Sequence, residues 1–278
     1  MTAHPLLARL VHRLAGDRPL PAADLVTTGY PSLDRLLGGG LRRGELIVAG
    51  GDAGAGTTAL VLGLAIRAAV AGHGVLVLTH EGSPERTWER LLAAESGVSH
   101  VALRTGVLAE GQAAALRDAA AVLATLPVRV EPAPATPAAL AERLGRDDEV
   151  LPPLVIVDGL AGIDAPPRPV AEAQAQAVRA AKRAAVVRDA AIVLTAPLPL
   201  NPAFRPPPRP VLGDFGALGA IAQGADVVLG VHREGLHDDA PDVAGAFEVH
   251  CLKHRAVRAG AWADLYVEPQ AGRVEDLA

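Results

Sequence analysis

The chain has 278 residues, half of them hydrophobic, with 29 Gly, 23 Pro and a net charge of −5. That length supports one large α/β domain rather than two, and the mild acidity excludes a broad basic field, so any nucleic-acid binding would be local. The lone Cys251 excludes an internal disulfide framework and suits a reducing cytoplasm. No run reaches the roughly 18 uncharged apolar residues of a membrane span. Arg9, His12 and Arg13 interrupt the opening MTAHPLLARLVHRLAG, so no signal-peptide core is expected there. Aromatics are scarce, which weakens any base-stacking platform.

In chain order, Leu6, Leu7, Leu10, Val11 and Leu14 recur at helical spacing over residues 5–15. Residues 1–24 thus read as an amphipathic helix and a Pro-containing linker, and 25–278 as the main domain. The helix's apolar stripe can pack on its own domain or on a neighbouring subunit. Ser32 is expected to cap a short helix with Leu33, Leu36 and Leu37, ended by Gly38–Gly40. An apolar strand then leads into a glycine-rich turn and an Ala/Leu-rich helix from about Thr57 to Val70. VLVLT, 75–79, is a buried-type strand ending at His80 and Glu81. Ser83 caps a helix through Glu95, Ala109–Leu126 reads as one long helix, VRV at 128–130 as a strand, and Pro137–Leu144 as a short helix. LVIVD, 154–158, is a strand ending in an acid; Val170–Val187 is a helix and AIVLTA, 191–196, a strand. The proline-rich 201–210 cannot be regular structure. Late strands fall at 226–232, 247–253 and 263–269. Strands alternating with helices imply an α/β fold with a mostly parallel sheet covered on both faces, and antiparallel edges at the C-terminal end.

The chemistry concentrates in LIVAGGDAGAGTTAL, 46–60. Strand, glycine-rich turn and helix are the layout of a P-loop, whose backbone N–H groups and helix N-terminus wrap a phosphate chain. Gly51 and Gly56 meet the G-x-x-x-x-G spacing, Gly54 lies between them, and Thr58 is the hydroxyl that a Mg²⁺ ion would use. Where the motif has lysine, this chain has Thr57. Asp158, at the tip of a buried strand facing that loop, can hold the Mg²⁺ water shell or else cap the turn at Gly159. Lys253 and Arg255, two apart on a strand, share a face; they either reach a ligand or guard an exposed edge. His250, Cys251 and His254 make no zinc site, since neighbouring strand residues face opposite ways and no Cys pair exists. Arg205 and Arg209 can touch nucleic-acid phosphates or belong to a solvated linker.

The order of these features resembles a RecA-type ATPase core. TGYPSLDRLLGGGLRRGELIVAGGDAGAG is similar to the RadA and KaiC branches as well. LRTG at 103–106, RPVLGDFGALGAIAQGADVVLGVHR at 209–233, KHR at 253–255 and the closing VEPQAGRVEDL resemble, more narrowly, the C-terminal domain of DnaB-type replicative helicases. The resemblance spans roughly residues 25 to 277 and implies a RecA-like P-loop NTPase fold. It implies ATP with Mg²⁺, held by Gly51, Gly54, Gly56, Thr57, Thr58 and Asp158. It implies Glu81 as the acid that activates water, and Lys253 and Arg255 as the basic pair reaching the neighbouring subunit's γ-phosphate. It also implies a homo-oligomeric ring, a hexamer in that family, with single-stranded DNA and replication proteins as partners and no membrane. Residues 5–15 fall where the family keeps a linker helix that docks on the next subunit.

The departures are as informative. A lysine supplies charge that Thr57 lacks, and one such lost contact costs about 10²–10³ in rate. Ala196 stands where the family has a glutamine that senses the γ-phosphate. Phe215–Leu218 replace a charged pair in the DNA-facing loop, leaving Gly219. Two expectations follow: an ATP-binding helicase relative with weakened or lost ATPase, or a non-catalytic scaffold that keeps the fold and the subunit surface. An accessory or degenerate paralogue suits both.

Overall fold

The computed structural model describes residues 24–277 apart from 165, 201–204, 239, 241 and 242. The amphipathic stretch 5–15 lies outside the described residues. Two short strands, β1 (Leu25–Val26) and β2 (Leu41–Arg42), pair antiparallel beside helix α1 (Pro31–Leu36). The main sheet holds β3 (Leu46–Gly51), β4 (Val75–Thr79), β5 (Val128–Pro132), β6 (Leu154–Asp158), β7 (Ala191–Pro197), β8 (Val227–Arg233), β9 (Ala246–His254), β10 (Trp262–Glu268) and β11 (Arg273–Asp276). The helices are α2 (Thr57–Val70), α3 (Pro84–Ser96), α4 (His100–Thr105), α5 (Gln112–Leu123), α6 (Pro137–Gly145), α7 (Val170–Arg188) and α8 (Ala220–Gly224).

The nine strands run in the order β11-β10-β9-β8-β3-β7-β6-β4-β5. From β8 to β5 every pairing is parallel, and β9, β10 and β11 add on antiparallel. The inner parallel strands β3, β4, β6 and β7 are mostly apolar because both faces are covered. On one face Leu60, Val61, Leu64 and Ala68 of α2 pack on Ile47, Val77, Ile156 and Val193. On the other, Val178, Ala181 and Ala185 of α7, with Leu140 and Leu144 of α6, pack on Leu46, Val48, Val155 and Leu194. Alternate residues of one strand therefore feed two separate cores.

Several expectations change in detail. Ser32 is not the cap of α1. Tyr30 holds that position, Pro31 opens the helix, and both the N–H and the hydroxyl of Ser32 donate to Asp276 Oδ2 at 2.8 Å. Pro31 fixes the φ of a first turn, so the start shifts one residue upstream of the serine. The long Ala-rich helix contracts to Gln112–Leu123, with Gly111 in the left-handed region at its start. Before it comes α4, capped by Ser99. The last strand, Arg273–Asp276, pairs with β10 and had no signal strong enough to separate it from a tail. β9 is interior, between β8 and β10, so the edge-guard reading of Lys253 and Arg255 falls away. Neither proline-loop arginine is a solvated linker residue. Arg205 forks onto Asp214 at 2.8 and 3.0 Å, and Arg209 onto Glu248 at 2.7 and 2.8 Å. Among the described residues no helix is long and apolar enough to cross a membrane.

Candidate functional site

Two concavities flank α2. The larger, about 1060 Å³, lies behind α2 and α3 and is lined by Tyr30, Arg67 and His100 among others. The smaller, about 560 Å³, opens at the C-terminal ends of β3 and β7, where parallel sheets place their ligands. Its chemistry makes it the candidate site. Gly51, Asp52, Gly54, Gly56, Thr57 and Thr58 form one wall; Glu81 and Arg90 stand at one side; Gly159, Ala161 and Thr195–Leu198 form the other.

The loop is shaped by what its glycines permit. Gly54 and Gly56 have φ of +81° and +95°, a region side chains avoid. A Cβ on Gly51 would come within 2.6 Å of the Val231 carbonyl oxygen. Gly56 is also the N-cap of α2, so no side chain caps that helix, and no acid occupies its first turn. The first-turn N–H groups and the positive end of the helix dipole therefore face the cleft and suit an anion.

Thr58 Oγ1 donates to Asp158 Oδ1 at 3.3 Å, and Thr195 Oγ1 donates to the same oxygen at 2.8 Å. Gly159 N–H donates to Thr195 Oγ1 at 2.6 Å, so the turn is tied by Thr195 and not capped by the aspartate. Asp158 is 2 % exposed. Burial pushes its carboxyl up to about 6, Glu81 adds to the rise, and the two threonine hydroxyls and Arg90 oppose it. A desolvated carboxylate beside a threonine hydroxyl has the donor chemistry of a hard divalent ion. Glu81 follows β4 and projects half-exposed into the mouth, 3.9 Å from Arg90. Asp52 is a second acid on the lining, and Ala196 is nearly buried at the tip of β7.

The phosphate-loop residues, Glu81 and Asp158 are thus brought together. Lys253 and Arg255 are not among them. They pair with the start of β8, the end of the sheet away from the loop. Lys253 Nζ donates to the carbonyls of Ala222 and Ala225 at 2.7 and 2.6 Å, and Arg255 reaches Gln223 O at 3.0 Å and Asp226. On this geometry they cannot serve the cleft of their own chain. Asp52, Thr195 and Arg90 also line the cleft and are not marked by the motif. Thr195 carried a signal, as a polar residue inside the apolar run AIVLTA; Arg90 carried none, being one arginine on an amphipathic helix.

The chain is similar in sequence to replicative DNA helicases. The DnaB replicative DNA helicase of Treponema pallidum is 33 % identical over 218 residues, covering 75 % of this chain and 48 % of that protein. The replicative DNA helicase DnaC of Bacillus subtilis is 25 % identical over 238 residues, covering 83 % of this chain and 52 % of that one. The chain therefore spans about half the length of these relatives. In fold it is similar to the ATPase domain of G40P (TM-score 0.84, 18 % identity, covering 98 % of this chain and 97 % of that one). It is also similar to a DnaB-like replicative helicase solved for its interactions with primase (TM-score 0.85, 18 % identity, covering 98 % and 66 %). The RadB recombinase is a more distant likeness, at TM-score 0.57 and 18 % identity over 91 % of this chain and 100 % of that one. The family model described as DnaB-like helicase C terminal domain matches residues 26–275, and the chain belongs to that family.

Proposed function

We propose that this chain is a DnaB-helicase-like ATP-binding protein of DNA replication or DNA metabolism, working in the cytoplasm as a homo-oligomer, with a weakened or lost ATPase. The observation that carries the reading is the convergence of Thr58 and the desolvated Asp158 beneath an uncapped helix N-terminus. Bound Mg²⁺ would supply the positive charge that neutralises phosphate oxygens and lets Asp158 stay ionised. Gly51, Gly54 and Gly56 let the backbone close on the phosphates, while Thr57 and Thr58 offer hydroxyls. Glu81 would orient the attacking water. Lys253 and Arg255 would act on the next copy's site in a ring, and single-stranded DNA and replication proteins are the partners this architecture suits.

Thr57 brings no charge, and Asp52 faces the cleft as an acid that repels phosphate, so turnover is expected to fall by about 10² or more. The same two residues, with Ala196, favour the second reading, a scaffold or regulatory subunit that does not hydrolyse ATP. Calorimetry of MgATP on the wild type and on Thr57→Lys, with hydrolysis followed with and without single-stranded DNA, separates the two. Binding and slow turnover by the wild type support the first. Binding gained only in Thr57→Lys supports the scaffold with an intact cradle. Silence in both variants refutes the nucleotide site.

A further inference from the structure

We propose that Arg90 takes the place of the missing P-loop lysine as the phosphate-binding cation of this site, an inference that rests on the nucleotide reading of the cleft. Two observations carry it. First, among the described residues lining the cleft, Arg90 is the only lysine or arginine. The other nearby candidates are committed elsewhere. Arg43 is held on Asp189 at 2.8 Å at the opposite end of β3. Lys182 is on Asp226 at 2.6 Å. Lys253 and Arg255 lie at the far end of the sheet.

Second, the guanidinium is available. Its contact is a loose one, 3.9 Å from Glu81 Oε2, and its side chain is 43 % exposed. It donates no hydrogen bond to a described residue. An arginine presents a planar fork that matches phosphate oxygens, and it needs no particular backbone register to do so.

The helix explains why an arginine can arrive there. Ser83 caps α3 through the Arg86 N–H, and Pro84 sets its first turn. The helix is anchored by buried Leu91 and Ala93, so Arg90, next to Leu91, emerges at the cleft mouth. The Glu81–Arg90 pair acquires a purpose on this reading. It parks the guanidinium beside the acid while phosphate is absent, and transfer of Arg90 to phosphate leaves Glu81 free to orient water.

The test is calorimetric affinity for MgATP and for Mg-tripolyphosphate, a probe without base or sugar. Wild type, Arg90→Ala, Arg90→Lys, Thr57→Lys and the double variant Thr57→Lys/Arg90→Ala are compared. Arg86→Ala on the same helix, outside the cleft, is the control, and circular dichroism and Tm report folding. Arg90→Ala is expected to weaken both probes about ten- to a hundred-fold, with Arg90→Lys between it and wild type. In the Thr57→Lys background the loss from Arg90→Ala is expected to shrink, since two cations there do one job. Wild-type binding that is unchanged in Arg90→Ala overturns the inference and leaves the nucleotide reading standing. Wild type that fails to bind while Thr57→Lys binds overturns it as well, since Arg90 then replaces nothing. No binding by either removes both readings.

Discussion

Replacing Asp158 by asparagine is expected to stabilise the free protein at neutral pH, although it removes a residue of the candidate site. The carboxyl rises from an ordinary 3.8 to about 6 in the fold, chiefly because it is buried. Each unit corresponds to about 1.36 kcal/mol, so the ionised group destabilises the fold by at most about 3 kcal/mol. The sign follows from which state holds the proton. Between 3.8 and about 6 the folded chain keeps the proton and the unfolded chain has lost it. Stability is therefore intact below pH 4 and falls as pH rises through the folded value. Asparagine carries no charge, and its side-chain oxygen can accept from Thr195 and Thr58 as the aspartate does. Desolvation of the amide's two N–H groups reduces the gain, leaving about 1–2 kcal/mol at pH 8. Urea or thermal unfolding from pH 3.5 to 8, without divalent cations, measures the difference. A Tm gain of about 2–4 °C per kcal/mol is expected at pH 8, vanishing below pH 4. A variant that is less stable at pH 8, or a difference independent of pH, refutes the argument. Either would mean that the buried carboxylate is held as an anion by its surroundings.

Asp226 makes the opposite case. It accepts from the Leu46 N–H at 2.8 Å and pairs with Lys182 and Arg255 while nearly buried. Asp226→Ala leaves that lysine with the Gly44 carbonyl alone and strands the first N–H of the strand feeding the loop, and is expected to cost about 1–3 kcal/mol in urea unfolding. A Cβ on Gly63 would lie 2.2 Å from the hydroxyl of Tyr30, which is fully buried. Gly63→Ala is expected to destabilise by about 1–3 kcal/mol, and Tyr30→Phe in the same chain should restore much of it; no rescue would place the strain elsewhere. Tyr30→Phe alone should stay within about 1 kcal/mol of wild type, because its buried hydroxyl bonds no acceptor among the described residues. Gly56→Ala forces an L side chain to φ +95° with Phe247 at 3.0 Å, so Tm and phosphate affinity should fall together. Retained binding of tripolyphosphate in that variant would show that the loop need not hold this shape.

Much of this protein is written locally. The strands VLVLT and LVIVD are continuous apolar runs because both their faces are buried, and their ends appear where charge or glycine begins. The helix from Thr57 to Val70 is bounded by Gly56 and by the turn before Gly72, so its limits were legible. The spacing of Gly51, Gly56 and Thr58, and the acid closing LVIVD, point to the cleft in the sequence alone. Neighbours distant in sequence were not legible. No local pattern says that Thr195 bridges Asp158 and Gly159, that Ser32 answers to Asp276, or that Arg205 and Arg209 are held by Asp214 and Glu248. Those pairings depend on strand order, which brings β7 between β3 and β6 and leaves β9 interior. The missing lysine was visible in the sequence as a single letter. That Arg90 stands at the same cleft was decided only by packing, because α3 is set over the loop by leucine and alanine contacts far weaker in signal than the motif they complete.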